Sequence, residues 1–129
     1  MKFAIDTDVY SALNKGDVRV KNWVNSQHDI AIPIIVVGEL RSGFAAGSQR
    51  QRNEQLLQSL LDAPNVEVLN LRLKTTELLA EAFAHLKKVG KPINTNDMWI
   101  AALCLDHKLS LLTLDKHFSA VPNLKLLKI

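Results

Sequence analysis

Apolar residues along this chain come in short blocks of two kinds, compact runs of three to six and longer stretches spaced three and four apart. Lys2 to Ile5 (KFAI) is a compact run that stops at Asp6-Thr7-Asp8, the pattern of a strand feeding a helix cap. A short helix is expected over Val9 to Leu13, broken at Asn14-Lys15-Gly16. Asp17 then caps a second helix reaching His28, with Val20, Trp23 and Val24 on one face. Ile30 to Ile32 reads as a second strand. Pro33 suits the first turn of the next helix, where its missing N–H costs nothing, and that helix runs to about Phe44 and stops at Gly47.

Ser48 is expected to cap a further helix, whose Leu56, Leu57, Leu60 and Leu61 form an apolar stripe ended by Ala63-Pro64-Asn65. Val66 to Leu69 is a third strand. From about Lys74 a long helix follows, with Leu78, Leu79, Ala82, Phe83 and Leu86 on the expected buried side, Gly90 as its terminating residue and Pro92 beyond. Asn94-Thr95-Asn96 caps a helix from Asp97 to His107 that is apolar almost all round, so both its sides should be covered. Leu109 to Leu114 is a fourth strand, Asp115 to Ser119 a turn of helix, and Leu124 to Ile129 a closing strand. Strands alternating with helices predict an α/β fold, a three-layer sandwich around a mostly parallel sheet. In such sheets ligands bind beyond the carboxyl ends of the strands.

The 129 residues suit one domain, expected over 1–129, with no repeat, low-complexity tract or linker. The single Cys104 has no partner for an internal disulfide and sits in an apolar run, which fits a reducing compartment. Acids within the first eight residues spoil a signal-peptide core, and no window reaches the length of a membrane span, so a soluble cytoplasmic protein without membrane association is expected. The net charge of +3 permits a polyanionic partner without requiring one. Its distribution says more: Arg41, Arg50 and Arg52 lie in a stretch free of acids, and Lys87, Lys88 and Lys91 form a second cluster. Both also read as solvated faces.

Four acids stand out against this background. Asp6 follows the first strand and Asp115 the fourth, so both project at the carboxyl edge of the sheet. Asp97 opens the most apolar helix, and Glu39 is set among Ile35, Val36, Val37 and Leu40. Singly, Asp6, Asp97 and Asp115 read as caps or helix-dipole partners, and Glu39 as a solvated position. Together they would repel unless a cation joined them. Oxygen donors without His or Cys company point to Mg²⁺ or Mn²⁺ rather than zinc; His28, His85, His107 and His117 lack zinc-ligand spacing. Trp23 and Trp99 read as core residues.

The strings FAIDTDVY, VVGELRSGF, NTNDMWIAA and LLTLDKHF, in this order, resemble the PIN domain over essentially the whole chain, most closely the VapC-type toxins of bacterial type II toxin–antitoxin pairs. The resemblance implies a five-stranded parallel sheet, Mg²⁺-dependent endoribonuclease activity (with Mn²⁺ as the alternative ion), a homodimer, and a small antitoxin protein that blocks the site. By position, Asp6 and Asp97 match the core metal ligands, Glu39 and Asp115 the other two acids, and Thr113 the accompanying hydroxyl. Asp8 departs from the family pattern, where asparagine is frequent, and its relation to the metal stays open. Three other readings remain: a haloacid-dehalogenase-type phosphatase beginning at Asp6-Thr7-Asp8, a PIN-fold RNA-processing nuclease outside a toxin–antitoxin pair, and a non-catalytic module binding RNA or protein. The first needs a later Ser/Thr, a lysine and an acidic pair, whereas here Thr113 precedes a single Asp115 and Glu39 and Asp97 are left without roles.

Overall fold

The computed structural model describes residues 1–25 and 27–129. Five strands, β1 (Lys2–Ile5), β2 (Asp29–Pro33), β3 (Val66–Leu69), β4 (Ser110–Leu112) and β5 (Leu126–Leu127), form one sheet in the order β3-β2-β1-β4-β5. Every pairing is parallel, with Ala4 opposite both Ala31 and Leu111. Phe3, Ala4 and Ile5 are all buried, as are Ile30 to Pro33. Neighbouring residues of a strand point to opposite faces, so unbroken burial means that helices cover the sheet on both sides. The three-layer α/β sandwich expected from the sequence is what forms.

The helices are α1 (Thr7–Asn14), α2 (Val18–Trp23), α3 (Ile34–Ala46), α4 (Arg50–Leu61), α5 (Leu73–Lys88) and α6 (Thr95–Asp106), with a short 3₁₀ helix over Lys116–Ala120. Asp17 caps α2 as expected, its carboxylate accepting from the Arg19 and Val20 amides. That helix is shorter than expected. Asn25 closes it, donating to the Asn22 carbonyl and accepting from the Gln27 amide, a local turn that outcompetes a further helical turn. The expected continuation to His28 crosses Ser26, which lies outside the described residues. Trp23 packs edge-on against Phe3, in keeping with a core role.

Ser48 does not cap α4. The helix starts at Arg50 with Gln49 before it, which leaves Ser48 one residue too early for its hydroxyl to reach the open amides. Pro33 likewise stands just before α3, still paired in β2, rather than inside the first turn. On α4 the buried line runs through Leu57 with Leu60 and Leu61 half-buried, while Leu56 is exposed. On α5 it runs through Thr75, Leu79, Ala82 and Leu86. Phe83, expected inside, turns about 100° away from that line and is 53% exposed. The strands β4 and β5 are each shorter than expected, and β5 pairs through only two residues.

Helix α6 behaves as its composition demands. Ile100 to Cys104 are all fully buried, and Met98 nearly so. Burial also pushes the Cys104 thiol up to about 12, so it stays protonated and packs as a small apolar group. At its far end α6 is tied to the start of α5. Asp106 takes a two-pronged ion pair from Arg72 (2.7 and 3.1 Å) and a 2.7 Å hydrogen bond from the buried Thr75 hydroxyl, which in turn accepts from the Arg72 amide. Arg72, first among these partners, holds the Asp106 carboxyl below the usual carboxylate range.

The helix ends use left-handed residues. Gly90 (φ 68°) terminates α5, with the Lys91 amide bonded to the Leu86 carbonyl and the Gly90 amide to that of Lys87. Lys108 (φ 56°) plays the same part after α6 without glycine's freedom. Lys108→Gly is therefore expected to stabilise the protein by about 1 kcal/mol. Arg72→Ala is expected to destabilise it, because it leaves the buried Asp106 carboxylate with the Thr75 hydroxyl but without its cation. Urea unfolding of the two variants checks both signs, and an Arg72→Ala midpoint equal to wild type would remove the clamp from the account.

Candidate active site

The strand order places β1 at the centre of the sheet, with β2 on one side and β4 on the other. The chain reverses its direction of winding between β1 and β4, and connections diverge from their carboxyl ends to open a crevice there. Asp6 leaves β1 at this point, and Thr113 and Asp115 leave β4. Glu39 arrives on the second turn of α3, which follows β2, and Asp97 on the first turn of α6. All four acids line one cavity of about 180 Å³ together with Thr7, Asp8 and Asn94. The gathering expected from the sequence is thus present, and it joins four separate segments of the chain.

Each acid is held in place. The Asp6 carboxylate is buried; it accepts from the Val9 amide at 2.9 Å, capping α1, and takes a short hydrogen bond from the Thr113 hydroxyl on its other oxygen. Thr113 accepts in turn from the Asp115 amide at 2.9 Å, which links the ends of β1 and β4. Thr7 donates to Glu39 at 2.9 Å. Asn94 grips Asp97 twice, its amide group donating to the carboxylate at 2.7 Å and its oxygen accepting from the Asp97 N–H at 2.9 Å. Asp115 caps the 3₁₀ helix, accepting from the His117 amide, and His117 Nδ1 lies 2.8 Å from the same oxygen. The cap readings of Asp6 and Asp115 therefore hold alongside their place in the cavity, and Asp97 is a capped residue rather than a cap.

Sequence reasoning gave no part to Thr7, Asn94 as a carboxylate partner, or His117. The first two follow directly from D-T-D and N-T-N-D, where a hydroxyl or amide beside an acid is a ready-made donor. His117 carried the weaker signal of lying two residues beyond Asp115. Arg41, the cation nearest Glu39 in sequence, pairs instead with Glu54 on α4 (3.3 Å). Among the described residues no lysine or arginine lines the cavity, which also leaves a phosphatase of the haloacid-dehalogenase type without its cation.

Unpaired acids in a partly buried space resist ionising. Burial pushes the Asp6 carboxyl from 3.8 up to about 6, against the opposing hydrogen bonds from Thr113 and Val9 and with small additions from Asp8 and Asp97. Asp97 is raised too, by burial first and then by the charges of Asp115 and Glu39. A hard divalent cation answers this chemistry, since the donors are carboxylate, hydroxyl and amide oxygens. Among the described residues no three acids, histidines or cysteines already ring a common point.

Fold and cavity together define a class, the parallel α/β sandwich with an all-oxygen acidic pocket at its switch point. The PIN domain model matches residues 3–124, and the chain belongs to that family. It is 26% identical over 117 residues to ribonuclease VapC5 of Mycobacterium tuberculosis, covering 91% of this chain and 85% of that protein. With ribonuclease VapC2 of Rickettsia felis the identity is 29% over 123 residues, 95% of this chain and 87% of the relative. The crystal structure of VapBC2 from Rickettsia felis, bound to a DNA fragment from its promoter, superposes with a TM-score of 0.88 at 26% identity, covering 99% of this chain and 98% of that one.

The raised Asp6 carboxyl makes a pH prediction. Folded Asp6 holds its proton more tightly than unfolded Asp6, so its contribution to stability is complete below about pH 3.8 and lost as pH rises through about 6. In metal-free buffer the stability advantage of Asp6→Asn over wild type is therefore expected to grow by about 3 kcal/mol between pH 3.5 and pH 7. Saturating Mg²⁺ or Mn²⁺ at pH 7 should shrink it. Urea titrations of both proteins across that range measure the difference, and a pH-independent difference would contradict the burial argument.

Proposed function

We propose that this chain is a metal-dependent endoribonuclease, the toxin of a type II toxin–antitoxin pair, that hydrolyses RNA phosphodiester bonds at the cavity around Asp6 and Asp97. The observation that carries the reading is the convergence of Asp6, Glu39, Asp97 and Asp115 on one cavity at the sheet's switch point, which no lysine or arginine lines among the described residues. The PIN family and the ribonuclease names of relatives from Mycobacterium tuberculosis and Rickettsia felis support the reaction type and RNA as substrate. The VapBC2 complex from Rickettsia felis supports an antitoxin protein as partner.

In this reading Asp6 and Asp97 hold the principal Mg²⁺, or Mn²⁺ in its place, with Asp115 and Glu39 as further ligands or acting through water. Bound there, the ion supplies Lewis acidity toward water and the scissile phosphoryl group. The protein's share is positioning. Val9, Thr113 and Asn94 fix the Asp6 and Asp97 oxygens, and Thr7 does the same for Glu39. Asp8, exposed at the rim, adds negative charge. Arg50 and Arg52, exposed at the start of α4, would contact flanking phosphates without reading sequence. A homodimer would draw on Ile34 (39% exposed) and Leu56 (44%), the parts of the α3 and α4 apolar faces still open to water. The described residues contain no helix long and apolar enough to cross a membrane.

Incubation with labelled structured RNA, with Mg²⁺, Mn²⁺ or EDTA, tests the reading. Cleavage should require the ion and fall by about 100-fold or more in Asp6→Asn and Asp97→Asn, while circular dichroism shows both variants folded. Wild-type cleavage rates by Asp97→Asn, or undiminished cleavage in EDTA, would refute the assignment.

A further inference from the structure

Beside the acidic cavity lies a second one of opposite charge. It measures about 290 Å³ and is lined by Lys91, Pro92, Ile93, Lys116, His117, Ser119 and Ala120, with no carboxylate. The two cavities share both walls by consecutive residues. On one wall Ile93 faces the second cavity and Asn94 the first; on the other, Lys116 faces the second and Asp115 the first. On the second wall one step of chain, about 3.8 Å between Cα atoms, separates the acid Asp115 from the base Lys116.

Both lysines spring from fixed backbone. Lys91 closes the end of α5, its amide bonded to the Leu86 carbonyl at 3.0 Å, and Pro92 restricts the chain beyond it. Lys116 opens the 3₁₀ helix that Asp115 caps. Both side chains are exposed, and neither ammonium group has a carboxylate within 4 Å among the described residues. Two exposed lysines from distant parts of the sequence thus line one cavity, whose His117 is engaged with the Asp115 carboxylate, so an anion seated there would be drawn to both ammonium groups.

We propose that Lys91 and Lys116 form a phosphate-binding subsite that seats the RNA phosphodiester one step along the strand from the scissile bond. The subsite rests on the ribonuclease reading, because a phosphodiester is the anion which that reaction brings to the neighbouring cavity. It also removes an electrostatic difficulty. A pocket lined by five carboxylates repels a polyanionic substrate, and a pair of lysines in the adjoining cavity supplies the local attraction that a net charge of +3, spread over the whole surface, does not. The lysines contact backbone only, so they set the register of the strand rather than its sequence.

The test compares wild type, Lys91→Gln/Lys116→Gln, Lys91→Arg/Lys116→Arg and a charge-matched control, Lys15→Gln/Lys21→Gln, whose lysines are exposed around the α1–α2 turn. Binding of a fluorescent single-stranded RNA is followed by anisotropy in EDTA against salt, and cleavage kinetics are followed with Mg²⁺. The glutamine pair at the subsite should weaken binding and raise KM by about tenfold, with kcat within about twofold, and should flatten the salt slope by about 0.7, one phosphate contact on a single strand. The arginine pair should restore both, and the control should move either by about twofold at most. Equal losses in subsite and control variants, or no loss at the subsite, would overturn the subsite while leaving the ribonuclease reading intact. A wild type that neither binds nor cuts RNA would overturn both.

Discussion

An ionised carboxylate without water needs its lone pairs filled and its charge balanced, and Asp6 has only the first of these from the protein. The Val9 amide and the Thr113 hydroxyl occupy its oxygens, yet no lysine or arginine among the described residues lines its cavity. That constraint organises what surrounds it. Asp6 must leave β1 where α1 begins so that the helix supplies an amide, and β4 must lie beside β1 so that Thr113 reaches across. The parallel sheet with β1 at its centre is the topology that satisfies both, and it opens a crevice at the same place. The remaining charge is left for an ion to balance.

The same logic explains the division of labour in α6. Its buried middle anchors the helix in the core, which fixes Asp97 at one end and Asp106 at the other. Asp106 meets Arg72 and Thr75 and is held ionised. Asp97 meets only Asn94 and other acids, and resists ionising. Two aspartates on one rigid helix thus take opposite electrostatic roles, one completing the structure and one left available for chemistry.

Much of this was legible in the sequence because the signals were local. Strand β1 ending at Asp6, the all-round apolar helix after Asn94 and the terminating Gly90 each rest on a few neighbouring residues, and each is found where expected. The four acids were legible as candidates because each lies at an element boundary. What escaped depended on partners far along the chain. Whether Phe83 or Thr75 faces inward is decided by what α6 offers α5, and Asp106 becomes structural only when Arg72, 34 residues earlier, folds against it. Ser48 failed as a cap because the chain delays the start of α4 by one residue. The lysine cavity next to the acids joins residues 91 and 116, which no spacing rule connects.

Cys104 gives the molecule a property unrelated to its chemistry. It is the chain's single thiol, fully enclosed in the middle of α6 and held protonated. An alkylating reagent can reach it only when the helix comes away from the sheet. Its labelling rate is thus a built-in clock for opening of the central layer, readable in a mixture and at concentrations too low for calorimetry.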